Sequence, residues 1–248
     1  MSKEERIYGL HTVKAVLERH PDHVHAIWVQ DSRKDKRMTS ITDIARHHHI
    51  TLHKVSRDEL DEITNGGHHQ GVVAQCRSLP VNELSLEAVL DRLEAPAFLL
   101  VLDGVQDPHN LGACLRTAAA AGVHAVIAPR DRAVGLTDTA RKVASGAAET
   151  IPFIQVPNLA QTLKQLKDKG VWLVGATSDA EQSIYDIDLA GPVVLVLGGE
   201  GKGLRRLTRE ACDYLAHIPI TDQVESLNIS VAAGVSCFEV VRQRQSQR

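Results

Sequence analysis

The chain has 248 residues, 43% of them hydrophobic, enough to bury the core of one large or two ordinary domains. Its 28 Lys and Arg against 31 Asp and Glu give a net charge of -3, so any contact with a polyanion must come from a local patch. Cys76, Cys114, Cys212 and Cys237 show neither a CxxC pair nor a metal-ligand spacing, which predicts reduced thiols and no metal. No signal peptide opens the sequence and no apolar run reaches the roughly 18 residues that span a bilayer, so a cytoplasmic protein with no membrane partner is expected.

Short elements alternate along the first part. Gly9 to Arg19 reads as a helix with Leu10, Val13, Val16 and Leu17 on one stripe, followed by a strand at Val24 to Gln30 and a helix at Asp35 to His48. A strand at Ile50 to Val55, a short helix at Arg57 to Ile63 and a strand at Gly71 to Cys76 complete a small α/β domain over residues 1–77. Residues 78–96 turn acidic and Leu-rich between Pro80 and Pro96, the composition of a linker with one helix at Leu84 to Leu93.

From residue 97 to 248 the pattern changes. Phe98 to Leu102 and Val193 to Leu197 are apolar without alternation, as strands covered on both faces of a parallel sheet are. Val123 to Ala128, Ile151 to Val156 and Val171 to Ala176 supply further strands, with helices at Thr137 to Ala144 and Leu159 to Lys169. A long helix from about Asn228 to Gln243 closes a doubly wound α/β domain.

Three segments at predicted strand ends carry chemistry. In Leu197-Gly198-Gly199-Glu200-Gly201-Lys202-Gly203-Leu204 the glycines let backbone N-H groups approach a ligand, yet Leu204 stands where a dinucleotide fingerprint needs glycine and Val196 where a P-loop does. Upstream, Asp107-Pro108-His109-Asn110 is a turn, with Asn110 the predicted N-cap of a helix from Leu111 to about Ala121. Arg116 shares a face with Gly112 and Ala113, so its side chain has an open path toward the helix N-terminus, a place for a phosphate; an idle surface cation is the alternative. Ser226 and Asn228 precede the last helix, where either caps it or both meet a ligand.

In this order and spacing, the three segments resemble the SpoU/TrmH family of SPOUT RNA ribose methyltransferases over about residues 97–245. Ile7 to Val13 and Gly66-Gly67-His68-His69-Gln70-Gly71-Val72 resemble that family's L30e-like substrate-binding domain. The resemblance implies a deep trefoil knot in the C-terminal domain, a homodimer with sites at the subunit interface, and S-adenosyl-L-methionine held around Gly198, Ile218 and Leu227. It implies an active site of Asn110, Arg116, Glu200, Ser226 and Asn228. The expected reaction is 2'-O-methylation of a guanosine ribose in 23S ribosomal RNA, in the peptidyl-transferase P-loop. A transfer RNA ribose methyltransferase and a non-catalytic ribosome-assembly factor are the competing readings.

Arg116 is expected to grip the phosphate beside the target ribose, because a guanidinium is a poor proton acceptor. A phosphate oxygen or water would take the proton, with Glu200 orienting Arg116 or a backbone donor. For RNA capture, Arg33, Lys34, Lys36 and Arg37 form a cationic run, and His68, His69 and Gln70 are expected to stack on or hydrogen-bond to RNA.

Overall fold

The computed structural model describes residues 4–77, 84–201 and 203–247. The first six residues of the predicted linker, 78–83, and Lys202 of the Gly-rich turn therefore lie outside the described residues. The chain divides into two compact units, residues 1–83 with 145–150, and residues 84–144 with 151–248.

The first unit runs β1 (Glu4–Tyr8), α1 (Leu10–Arg19), β2 (Val24–Gln30), α2 (Lys36–His47), β3 (Thr51–Val55), α3 (Arg57–Ile63) and β4 (Val72–Arg77). Its sheet has the order β1-β4-β2-β3, antiparallel except for the β2–β3 pair. The α1 stripe is the expected one, and Val13, Val16 and Leu17 pack on Ile7, Ile27, Val29, Val72 and Ala74 from the inner sheet face. Asp35 caps α2 by accepting from the N-H groups of Arg37 and Met38, and Ser56 and Glu59 form a reciprocal capping box on α3. The edge strand β1 is absent from the sequence reading because its Glu-Glu-Arg start lacks an apolar pattern.

The second unit contains α4 (Leu86–Leu90), β5 (Phe98–Asp103), α5 (Pro108–Ala121), β6 (Ala125–Pro129), α6 (Asp138–Ala144), β7 (Phe153–Val156) and α7 (Leu159–Asp168). It continues with β8 (Trp172–Ala176), β9 (Gln182–Ser183), β10 (Val193–Gly198), α8 (Arg206–Ala211), β11 (Tyr214–His217) and α9 (Ile229–Ser246). Seven parallel strands take the order β7-β6-β5-β10-β8-β11-β9. Both continuous apolar runs lie at the centre, every residue of β5 buried, with Gly198 opposite Asp103 at their C-terminal ends. Strand order reverses between β5 and β10, and such a crevice is where open α/β sheets bind ligands.

The predicted linker helix is shorter than expected, Leu86 to Leu90. Helix α5 also starts earlier: Asp107, not Asn110, is its N-cap, accepting from the N-H of His109, with Pro108 in the first turn. Proline lacks the N-H that the first turn leaves unbonded anyway, so Asp-Pro suits a helix start better than the later asparagine.

Candidate active site

A cleft of about 440 Å³ opens at the C-terminal ends of β8 and β10. Its walls combine the Gly198 to Gly201 backbone, apolar Leu197, Ile218, Ile220, Leu227 and Ala232, and the short polar side chains of Thr177, Ser178, Ser226 and Asn228. Glycine is required where the chain leaves β10, because a Cβ at Gly198 would run into the backbone of Gly203 and Leu204. The bend from Ile218 to Leu227 holds, among the described residues, a single backbone-to-backbone hydrogen bond, from Val224 N to Thr221 O. Most of its peptide groups thus remain available to a ligand.

Three of the expected site residues meet beside this cleft. Asn228 caps α9: its Oδ1 accepts from the N-H of Ser230 at 2.8 Å and from the Ser230 hydroxyl at 2.6 Å. A backbone N-H can only donate, so the Asn228 amide nitrogen must face away, and it donates to Asn110 Oδ1 at 3.1 Å. Asn110 Nδ2 in turn donates to the Glu200 carboxylate. The chain of bonds has one direction, from a peptide N-H to a carboxylate, and fixes both amide orientations. Glu200 therefore orients the Asn110 side-chain amide, rather than the expected Arg116 or backbone donor.

Helices α5 and α9 run side by side in the same direction, since Asn110 meets Asn228 and Thr117 lies near Gly234. Both positive helix ends point to the network, favouring negative charge there. Beneath it, one turn from Asn110, burial pushes the Cys114 thiol up to about 12, with Glu200 adding to the shift.

Arg116 is exposed, lines no part of the cleft, and makes no hydrogen bond or ion pair among the described residues. Its expected open path is corrected too: the space at Gly112 is filled by α6, where an added Cβ would lie 2.5 Å from the Ala140 carbonyl oxygen and 2.7 Å from Val143. Gly112 thus serves helix packing. Ser226 is exposed on the rim, while Ile218 and Leu227 are half-buried in the wall.

The sequence reading missed Asp103, which ends β5 with 1% exposure and accepts from the backbone N-H and guanidinium of Arg205. This tie anchors the far end of the Gly-rich turn. A carboxylate closing an apolar strand is the signal that could have found it, because such a group must be paired when buried.

In the first unit, the expected RNA contacts divide. Lys34, Lys36 and Arg37 are exposed without a side-chain partner among the described residues. Arg33 instead donates to Asp35 and, through Nη1, to the Gln70 carbonyl at 2.6 Å. His69 is corrected from an RNA contact to an internal brace: it is 5% exposed, with Nε2 3.0 Å from Asp61 Oδ1 and Nδ1 accepting from Gly71 N at 3.0 Å. Gln70 Oε1 accepts from the N-H of Leu10 at 3.1 Å, while His68 is exposed.

A family model described as the SpoU rRNA Methylase family matches residues 97–238, and one described as RNA 2'-O ribose methyltransferase substrate binding matches residues 6–81. The chain belongs to the SpoU rRNA methylase family. The 23S rRNA (guanosine-2'-O-)-methyltransferase RlmB of Pseudomonas aeruginosa is 52% identical over 245 residues, 98% of each chain. That of Coxiella burnetii is 51% identical over 247 residues, 99% of this chain and 98% of the other. Among solved structures, the SpoU methyltransferase AviRb from Streptomyces viridochromogenes in complex with the cofactor AdoMet superposes with TM-score 0.81 at 23% identity, over 99% of this chain and 92% of that one. An RNA 2'-O ribose methyltransferase gives 0.79 at 25% identity, over 98% and 90%.

Proposed function

We propose that this protein methylates the 2'-hydroxyl of a guanosine ribose in 23S ribosomal RNA, with S-adenosylmethionine as donor, residues 97–248 forming the catalytic domain and 1–77 capturing RNA. The observation that carries the reading is the Asn228–Asn110–Glu200 network, drawn from three distant segments to the rim of a glycine-lined cleft. Similarity to RlmB proteins over almost the whole chain supports the substrate.

The residues present fit the donor. Apolar Leu197, Ile218, Ile220 and Leu227 suit a nucleoside, and free peptide groups of the bend suit its polar edges. Gly198, Ile218 and Leu227 would hold it, and when bound it supplies an electrophilic methyl on a sulfonium. The protein's remaining tasks are to align the ribose hydroxyl and take away one proton, and alignment alone is worth about 7–11 kcal/mol. Asn110 and Asn228, fixed in orientation, present amide edges for the ribose, and Ser226 offers a hydroxyl to the nucleotide. Arg116 stands six residues from Asn110 on α5, about 9 Å along the axis. Its five donors suit the phosphate beside the target ribose, leaving a phosphate oxygen or water to receive the proton.

Val231 and Phe238 are each 50% exposed, two turns apart on α9, and this stripe supports a homodimer formed through that helix. A ribosomal RNA substrate and four free cysteines fit action in the cytoplasm. Incubation with labelled donor and unmodified 23S transcript tests the function: methyl incorporation is expected, and its absence would overturn the reading.

A further inference from the structure

The Gly66–Gly71 loop and the start of the basic run meet on a second cleft, about 470 Å³, within the first unit. This volume lies in the range of small-ligand sites, about 300–1,000 Å³. Among the described residues no aliphatic or aromatic hydrocarbon side chain lines it: the walls are Gln30, Arg33, Arg57, Asp61, His68 and their polar and glycine neighbours. Such a lining excludes an apolar ligand and suits one that accepts hydrogen bonds.

Its donors differ in how far they are used. Arg33 commits Nε and Nη1 to Asp35 and the Gln70 carbonyl, two of its five N-H groups. Arg57 is freer. Its side chain is 75% exposed and its Nε is 3.9 Å from Asp61 Oδ2, beyond hydrogen-bond distance. The backbone N-H groups of His68 and Gln70 make no hydrogen bond among the described residues, whereas those of Gly66, Gly67, His69 and Gly71 are all taken. The residues that line the cleft thus carry a guanidinium with all its donors open, the remaining donors of a second, two unbonded peptide N-H groups and an exposed imidazole. Asp35, paired with Arg33 from outside the lining, and Asp61 balance the two arginines, so the unused donors rather than a net charge suit an anionic oxygen here.

The loop is braced from inside. Because Nδ1 of His69 accepts from Gly71 N, the ring proton is on Nε2 and is donated to Asp61. Gln70 ties the same loop to the start of α1. We propose that this cleft seats one phosphodiester-linked nucleotide of the RNA substrate, contacted by Arg57, His68 and the two open peptide N-H groups, with Asp61 and His69 as positioning residues. The assignment rests on the RNA-methylating reading above and goes beyond the run of residues 33–37, whose Lys34, Lys36 and Arg37 do not line the cleft.

The test uses full-length protein and unmodified 23S ribosomal RNA transcript, measuring RNA binding across salt concentrations and single-turnover methyl transfer. Arg57→Ala should raise the half-saturating RNA concentration roughly tenfold and lower the log-log salt slope by about one, with the rate at saturating RNA unchanged. Arg46→Ala, which removes a cation paired with Asp43 outside the cleft, should change neither. Asp61 discriminates by sign. Simple electrostatics predicts tighter RNA binding on Asp61→Ala, whereas loss of the His69 brace predicts weaker binding, restored by Asp61→Asn, which keeps an acceptor. Arg57→Ala within twofold of wild type, an equal loss with Arg46→Ala, or tighter binding by Asp61→Ala would overturn the assignment. Competition by inorganic phosphate in wild type, with RNA affinity unaltered in Arg57→Ala, would make it a free-anion site and also overturn it. A wild type that binds RNA but transfers no methyl contradicts the proposed function instead, and the binding series still judges the cleft.

Discussion

Two glycine-rich loops in this protein divide their labour in opposite ways. At the end of β10, side chains from three remote segments lock one another, Asn228 to Asn110 to Glu200, and the peptide groups of the facing bend stay open. In the Gly66–Gly71 loop the side chains of His69 and Gln70 turn inward to hold the backbone, and the open donors belong to Arg57 and two peptide groups. The contrast teaches that glycine content marks where a backbone nears a ligand, while the neighbouring polar side chains decide whether that site is built by long-range or by local ties.

The sharpest way to break this contrast is at the proposed active site around the long-range network. Arg116→Ala should lower single-turnover methyl transfer by about a thousandfold with unchanged thermal stability, since its side chain has no partner among the described residues. An unchanged rate would remove Arg116 from the site. Asn110→Ala takes out the member shared by both long-range bonds and should cost about a hundredfold in rate, a misalignment effect. Glu200→Gln keeps an acceptor for Asn110, so a loss of about tenfold or less is expected, against a larger loss for Glu200→Ala; equal losses would mean that the charge itself matters.

Smaller effects probe the scaffold. Gly112→Ala should destabilise by about 1–3 kcal/mol in urea titrations, because the new methyl meets the Ala140 carbonyl and Val143. Burial raises the thiols of Cys114, Cys212 and Cys237 from 9.0 to about 12. The folded state therefore holds these protons more tightly than the unfolded chain. Their contribution is fully present below about pH 9 and declines as pH rises toward 12. Denaturation midpoints flat across that range would contradict the shifts.

Much of this was legible in the residues. Phe98 to Leu102 and Val193 to Leu197 read as central parallel strands because burial on both faces leaves no polar position. The short β9 and β11 and the helix α8 escaped because two to six residues carry too little periodicity. Of the site, the glycines, Asn110 and Asn228 stood out from the local pattern and Glu200 came from the family resemblance, but their partnership did not show: Asn110 and Glu200 are 90 positions apart, and it is the β5–β10 pairing that brings their segments together. Asp107-Pro108 held the true helix start in plain view, since proline favours the first helical position. His69 misled because burial, not residue type, decides whether an imidazole faces RNA or the interior.

The most direct test of the central claim is to incubate wild-type protein with labelled S-adenosylmethionine and, separately, unmodified 23S ribosomal RNA and transfer RNA, then map every labelled nucleotide. The account predicts a single 2'-O-methylguanosine in the ribosomal RNA and none in the transfer RNA. Label on a base, label confined to transfer RNA, or no label at all would contradict it.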